Sequence, residues 1–113
     1  RIGSGTKIDN KCHIAHNTVT GENCMITADF LNAGSSTIGD RCAFAGRSSV
    51  NGHISICSDC TFTANTSVNN DIIKPGLYGG WPVMEHKKNL RVLASLPHLP
   101  ELRKTVAKLL KSR

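Results

Sequence analysis

The chain has 113 residues, with five cysteines, five histidines and a formal net charge of +6. At that length it makes one domain at most, able to bury only about two-thirds of its unfolded surface, so self-association is expected to help it. No apolar run is long enough to span a bilayer, and no charged segment leads into an apolar core. A transmembrane segment and a secretory signal are therefore not expected in these residues, and the chain reads as soluble and cytoplasmic. The charge is uneven: residues 1–84 hold six Lys/Arg and six Asp/Glu, whereas residues 85–113 hold eight and two. With one Trp, one Tyr, three Phe and no reader motif, the basic excess does not read as a nucleic-acid surface; an acidic protein partner fits it better.

From Ile2 to Ile73 the sequence runs without insertion as IGSGTK, IDNKCH, IAHNTV, TGENCM, ITADFL, NAGSST, IGDRCA, FAGRSS, VNGHIS, ICSDCT, FTANTS and VNNDII. Ten of these twelve hexads begin with Ile, Val or Phe; the second slot favours small or polar residues and the fifth Cys, Ser or Thr. An amphipathic helix needs apolar spacing near 3.6 and a half-buried strand near 2, so neither explains a strict six. Short strands joined by tight corners do, with three hexads to a triangular coil and about 4.8 Å between coils. The expectation is a mainly β protein, about four coils over residues 1–73. The pattern resembles the left-handed parallel β-helix of hexapeptide-repeat acyltransferases; the hand comes from that resemblance alone, since the general crossover rule favours the right.

Cys24, Cys42 and Cys60 fall eighteen apart in the fifth slot, with Cys12 in that slot on another face. They are expected to stack as small buried side chains. CSDC at 57–60 is solitary, and neither a zinc site nor a disulfide framework is the preferred reading. After Lys74-Pro75-Gly76 the hexads stop and LYGGWP reads as a loop leaving the solenoid. Residues 74–113 then form a loop and helical extension. Leu90, Leu93, Ala94 and Leu96 make one apolar stripe ended by Pro97, and Leu102, Val106, Leu109 and Leu110 a second behind Pro100, which predicts two short helices.

Two histidines stand three apart in CHIAH. Stepping by eighteen from His16 reaches Gly34 and then Gly52, with His53 beside it, whereas His13 leads to Leu31 and Ser49. His16, Gly34 and His53 thus line one edge, the two histidines about 10 Å apart along the axis. A neutral imidazole can take a proton from an attacking amine or hydroxyl, and a glycine leaves its N–H open to a developing oxyanion, which is the equipment of acyl transfer. His13, His86 and His98 are expected to be ordinary exposed residues.

IDNKCHIAHNTVTGEN, NAGSSTIGDRC, SSVNGHISI, KPGLYGGWPVMEHKKNLR and LPHLPELRK together resemble the C-terminal half of the UDP-3-O-acylglucosamine N-acyltransferases of lipid A synthesis. The sister UDP-N-acetylglucosamine O-acyltransferases share HIAH but usually carry Asp where Asn17 stands and Gly-His where this chain has Gly34-Ser35. The resemblance implies a homotrimer with active sites between solenoids, His16 as general base, the Gly34 amide as oxyanion donor and His53 assisting. It also implies substrate contacts at Asp9, Asn10 and Asn17. The implied reaction moves a 3-hydroxyacyl group from the phosphopantetheine of acyl carrier protein to the 2-amino group of a UDP-sugar already acylated at O3, with no bound cofactor and no metal. Lys87, Lys88 and Arg91, on the polar side of the first helix with its leucines turned inward, are the expected docking surface for the carrier.

Several residues depart from that family. The chain starts at Arg1 inside the repeat, so it is expected to be a piece of a longer protein whose N-terminal uridine-binding domain lies outside it. Asn70 stands where Arg is usual, and Thr20 and Asn32 occupy slots normally aliphatic. Asn32, two residues before Gly34, is the costlier because a buried amide needs partners; a local hydrogen-bond ladder is expected, with tuning of Gly34 the alternative. The O-acyl sister, another hexapeptide acyltransferase using coenzyme A, a zinc solenoid like the γ-type carbonic anhydrases, and an inactive trimerising fragment remain the rival readings.

Overall fold

The computed structural model describes all 113 residues, an elongated body of 63 × 23 × 22 Å. The six-residue period folds as three flat walls of parallel strands, most only two residues long. The first wall stacks Lys7–Ile8, Met25–Ile26, Ala43–Phe44 and Cys60–Phe62. The second stacks His13–Ile14, Leu31–Asn32, Ser49–Val50 and Ser67–Val68. The third stacks Val19–Thr20, Thr37–Ile38 and Ser55–Ile56. Partners lie eighteen residues apart, as in His13 with Leu31 and Leu31 with Ser49.

The corners explain the slot chemistry. Every full corner puts its fourth-slot residue in the left-handed region: Gly5 and ten non-glycine residues, five of them Asn or Asp, with φ between 53° and 75°. Asn and Asp tolerate that region best among residues with a Cβ, and no β-branched residue occupies the slot. First- and fifth-slot side chains turn inward. Phe30 and Phe44 pack at 4.8 Å between ring centroids, Phe44 and Phe62 stack at 4.7 Å, and Tyr78 continues the column at 5.8 Å from Phe62. Cys24, Cys42 and Cys60 are buried as the eighteen-residue spacing predicts; Cys12, nearer the end of the stack, is only half-buried. Burial pushes the Cys42 thiol up to about 11 and the Cys60 thiol up to about 12.

Three features differ from the sequence-based expectation. The corner after Val68 is two residues short: Ile72 bridges Ile56 and Gly76 pairs with Cys60, each sixteen residues on. Asn70 therefore sits in a compressed corner, with Asp71 accepting the Ser55 N–H at 2.8 Å. Second, Gly76–Gly79, expected to be loop, is a further rung of the first wall, and Met84–Glu85 folds back antiparallel on it. The backbone donors of the preceding coil, such as Thr63 N–H to Tyr78 O at 3.0 Å, hold the segment in place even though its hexad signature is gone.

Third, the helices α1 (His86–Ser95) and α2 (Leu99–Lys111) form where expected, joined by a 3-10 turn at Leu96–His98, but their leucines do not face inward. Leu90, Leu93 and Leu96 are each about half exposed, and the residue α1 buries is Asn89. Asn89 packs on Gly80, whose φ of 95° and lack of a side chain are both needed, since a Cβ there would collide with Asn89 Oδ1. Glu85 caps α1 by accepting the N–H groups of Lys87 and Lys88 at 3.2 and 3.0 Å, which holds its carboxyl below the usual range.

Candidate active site

The edge between the second and third walls carries His16, Gly34 and His53. The backbone ties them in one column: Ser35 N–H donates to His16 O at 2.9 Å and His53 N–H to Gly34 O at 3.2 Å. A Cβ placed on Gly34 would lie 3.1 Å from His16 O and 3.5 Å from His16 Nε2, so the imidazole rests on the space the glycine leaves. His16 and His53 are exposed and Gly34 is buried. None of the larger hollows of the single chain is lined by any of the three. His13 lies on the outer face of the second wall beside Leu31, away from this edge.

Asn17 touches the imidazole, its Nδ2 lying 3.3 Å from His16 Nδ1. A carboxamide nitrogen only donates, so this contact leaves the ring proton on Nε2. Turning the Asn17 carboxamide end for end offers Oδ1 to an Nδ1–H instead and frees the Nε2 lone pair for base work.

Gly34 does not present the open N–H expected of it. Its amide donates at 2.8 Å to Oδ1 of Asn32, inside the coil. Asn32 is fully buried, and its Oδ1 also faces the hydroxyls of Thr18 at 3.3 Å and Ser36 at 3.4 Å. The ladder expected of Asn32 is present, but it reaches into the site, and its Nδ2 has no partner. Sequence reading flagged Asn32 for its slot; which peptide it would capture was not legible there.

Asp9 and Asn10 occupy the preceding corner. Asn10 N–H is bonded to Asp9 Oδ1 at 2.7 Å, and Asp9 lines a shallow hollow with Lys7, Ile8, Met25, Ile26 and Thr27. Within one chain this pair is one wall of the triangle away from His16. Lys87, Lys88 and Arg91 are exposed on α1, with Lys88 and Arg91 bordering a groove of about 330 Å³ that runs along Val92, Ser95, Leu96 and Leu99.

No helix is long and apolar enough to cross a membrane. No family model matches the chain. Among curated proteins it is 41% identical over 98 residues to the UDP-3-O-acylglucosamine N-acyltransferase of Wolinella succinogenes, covering 87% of this chain and 31% of that protein. It is 41% identical over 112 residues to the enzyme of the same name from Bordetella avium, covering 98% and 31%. It is 42% identical over 83 residues to a probable UDP-3-O-acylglucosamine N-acyltransferase 2, mitochondrial, of Arabidopsis thaliana, covering 74% and 27%. Among solved structures, a maltose O-acetyltransferase from Clostridium difficile 630 overlays with a TM-score of 0.44 at 15% identity, covering 74% of this chain and 66% of that one. By sequence the chain is a relative of the UDP-3-O-acylglucosamine N-acyltransferases, matching them along 27–31% of their length.

Proposed function

We propose that the chain carries the catalytic edge of an N-acyltransferase, moving a 3-hydroxyacyl group from the phosphopantetheine of an acyl carrier protein to the 2-amino group of a UDP-glucosamine already acylated at O3. The observation that supports this most is the column of His16 on Gly34 on His53 at a single corner, in a chain related to proteins of that name. His16 takes a proton from the amine as nitrogen attacks the thioester carbonyl. The C–N bond forms, the C–S bond breaks, and the proton passes to the departing thiolate. The His53 imidazole N–H, and the Gly34 N–H once it faces the groove, stabilise the oxyanion between those events.

The column lies on an open edge, so the substrate groove needs a second wall, and a neighbouring solenoid of a homotrimer is the natural one. Asp9 and Asn10, one corner back, then approach the sugar from a different subunit than the His16 they serve. Lys87, Lys88 and Arg91 give the acidic carrier protein a positive surface, which acts chiefly on encounter rate and orientation.

The test is acceptor identity in the complete protein. With acylated carrier and UDP-3-O-acylglucosamine, the expected result is loss of the free 2-amine and gain of an amide in the product. Transfer instead to a hydroxyl of UDP-N-acetylglucosamine would replace this reading with the O-acyl one.

A further inference from the structure

The peptide joining Ala33 to Gly34 is turned over relative to its counterparts in the solenoid, and three separate observations say so. Along the corners the third-slot residue has negative φ, including Gly46 and Gly52; Gly34 alone is positive, at 113°. Fifth-slot hydroxyls and thiols donate to the carbonyl fifteen residues ahead: Thr6 to Gly21, Cys24 to Gly39, Ser36 to Asn51, Cys42 to Cys57 and Ser48 to Thr63. Thr18 should reach Ala33 O by that rule and reaches Asn32 Oδ1 instead. Finally, third-slot N–H groups elsewhere point along the outer edge, Glu22 N–H to Asp40 Oδ1 and Asp40 N–H to Ser58 Oγ, both at 2.8 Å. The Gly34 N–H points inward.

The two faces of a trans peptide point opposite ways, so an N–H turned inward leaves the Ala33 carbonyl turned toward the edge beside His16. A carbonyl there repels an oxyanion that an N–H would stabilise. We propose that Asn32 is a positioning residue that holds this peptide turned over, and that acyl transfer requires the peptide to swing back so that the Gly34 N–H faces the groove. The swing needs only the two torsions flanking one peptide. Glycine allows both states, and the bond lost to Asn32 is exchanged for the missing Thr18 hydroxyl bond to Ala33 O.

The consequence for catalysis rests on the acyl-transfer reading; the orientation of the peptide does not. Asn32 sits in a column otherwise made of Ile14, Val50 and Val68, so Asn32→Val restores the apolar slot and removes the acceptor. Two measurements on the complete protein separate the claims. In ¹⁵N-glycine-labelled wild-type protein the Gly34 amide should exchange slowly with deuterium, and in Asn32→Val at least ten times faster, with Gly52 unchanged. In the transfer assay Asn32→Val should raise kcat about three- to tenfold with KM unmoved, the scale of one hydrogen bond in a two-state balance. Asn32→Asp, which keeps an acceptor, should return both readouts toward wild type. A rapidly exchanging Gly34 amide in the wild-type protein overturns the proposal without need of any variant. So does an Asn32→Val protein whose kcat is unchanged or lower while its Gly34 amide is exposed. Slow Gly34 exchange without transfer in either protein would uphold the peptide's orientation and sink the acyltransferase reading instead.

Discussion

Two corners of this solenoid share a left-handed fourth slot, register and chain direction, yet only one sets an imidazole beside glycine. At the corner of Glu22, Asp40 and Ser58, the Glu22 and Asp40 N–H groups are each capped by the side chain one coil further on. Cys24, Cys42 and Cys60 fill the space behind it. At the corner of His16, Gly34 and Gly52, glycine replaces the capping side chain twice, so the equivalent donors are left without a cap. A donor edge is produced by deletion from a turn that otherwise satisfies itself. Asn32 then complicates it by drawing one of those donors inward.

That contrast is best broken at its two histidine-corner essentials. His16→Ala should lower transfer by about two to four orders of magnitude, the scale for losing a general base, while Glu22→Ala, in the same slot one corner on, should leave it within a factor of two; single-turnover assays of both decide it. Gly52→Ser imports the cap. Gly52 has ordinary φ, and a Cβ there meets only Gly34 O at 3.5 Å, so the variant should fold normally and its hydroxyl should claim the Gly34 N–H whenever it faces outward. Loss of about 10- to 100-fold in kcat, with unchanged melting temperature, is expected for occupying one oxyanion donor.

Away from the edge the effects are smaller. Replacing Lys87, Lys88 and Arg91 together by Glu should raise KM for the carrier about tenfold at low salt and much less at moderate salt, with kcat unchanged, because screening removes what charge complementarity supplies. Asp40→Ala should cost about 1 kcal/mol of stability by uncapping Glu22 N–H and leave transfer alone, as read from denaturant midpoints and the same assay.

The walls and the histidine column were legible in the sequence because a period of six with no insertion leaves little freedom: once Ile8 pairs with Ile26, His16 must stack on Gly34. The buried cysteines followed from the same count. What was not legible was set by single peptides and by the ends. The shortened corner before Ile72 keeps Ile at positions a hexad frame would also accept, so composition gives no sign of the missing two residues. Gly76–Gly79 joins the first wall through backbone bonds that carry no sequence signature. The outward leucines of α1 read as a core face because periodicity reports amphipathicity and not what covers it. Asn32 was noticed as out of place, but the torsions it imposes on Gly34 belong to one bond that hexad spacing does not describe.

The shortened corner near Asp71 also decides how the solenoid stops. A stack of identical coils is an open template whose last rung offers the same unpaired backbone to another chain as each earlier rung offered to the next. The final coil closes two residues early, so that Gly76–Gly79 still pairs parallel on Cys60–Phe62, and Met84–Glu85 then lies antiparallel on this last strand of the first wall, with α1 following directly. An incoming parallel strand finds that wall already occupied in the opposite sense, so the first wall is closed to fibre-like growth by the direction of its own chain.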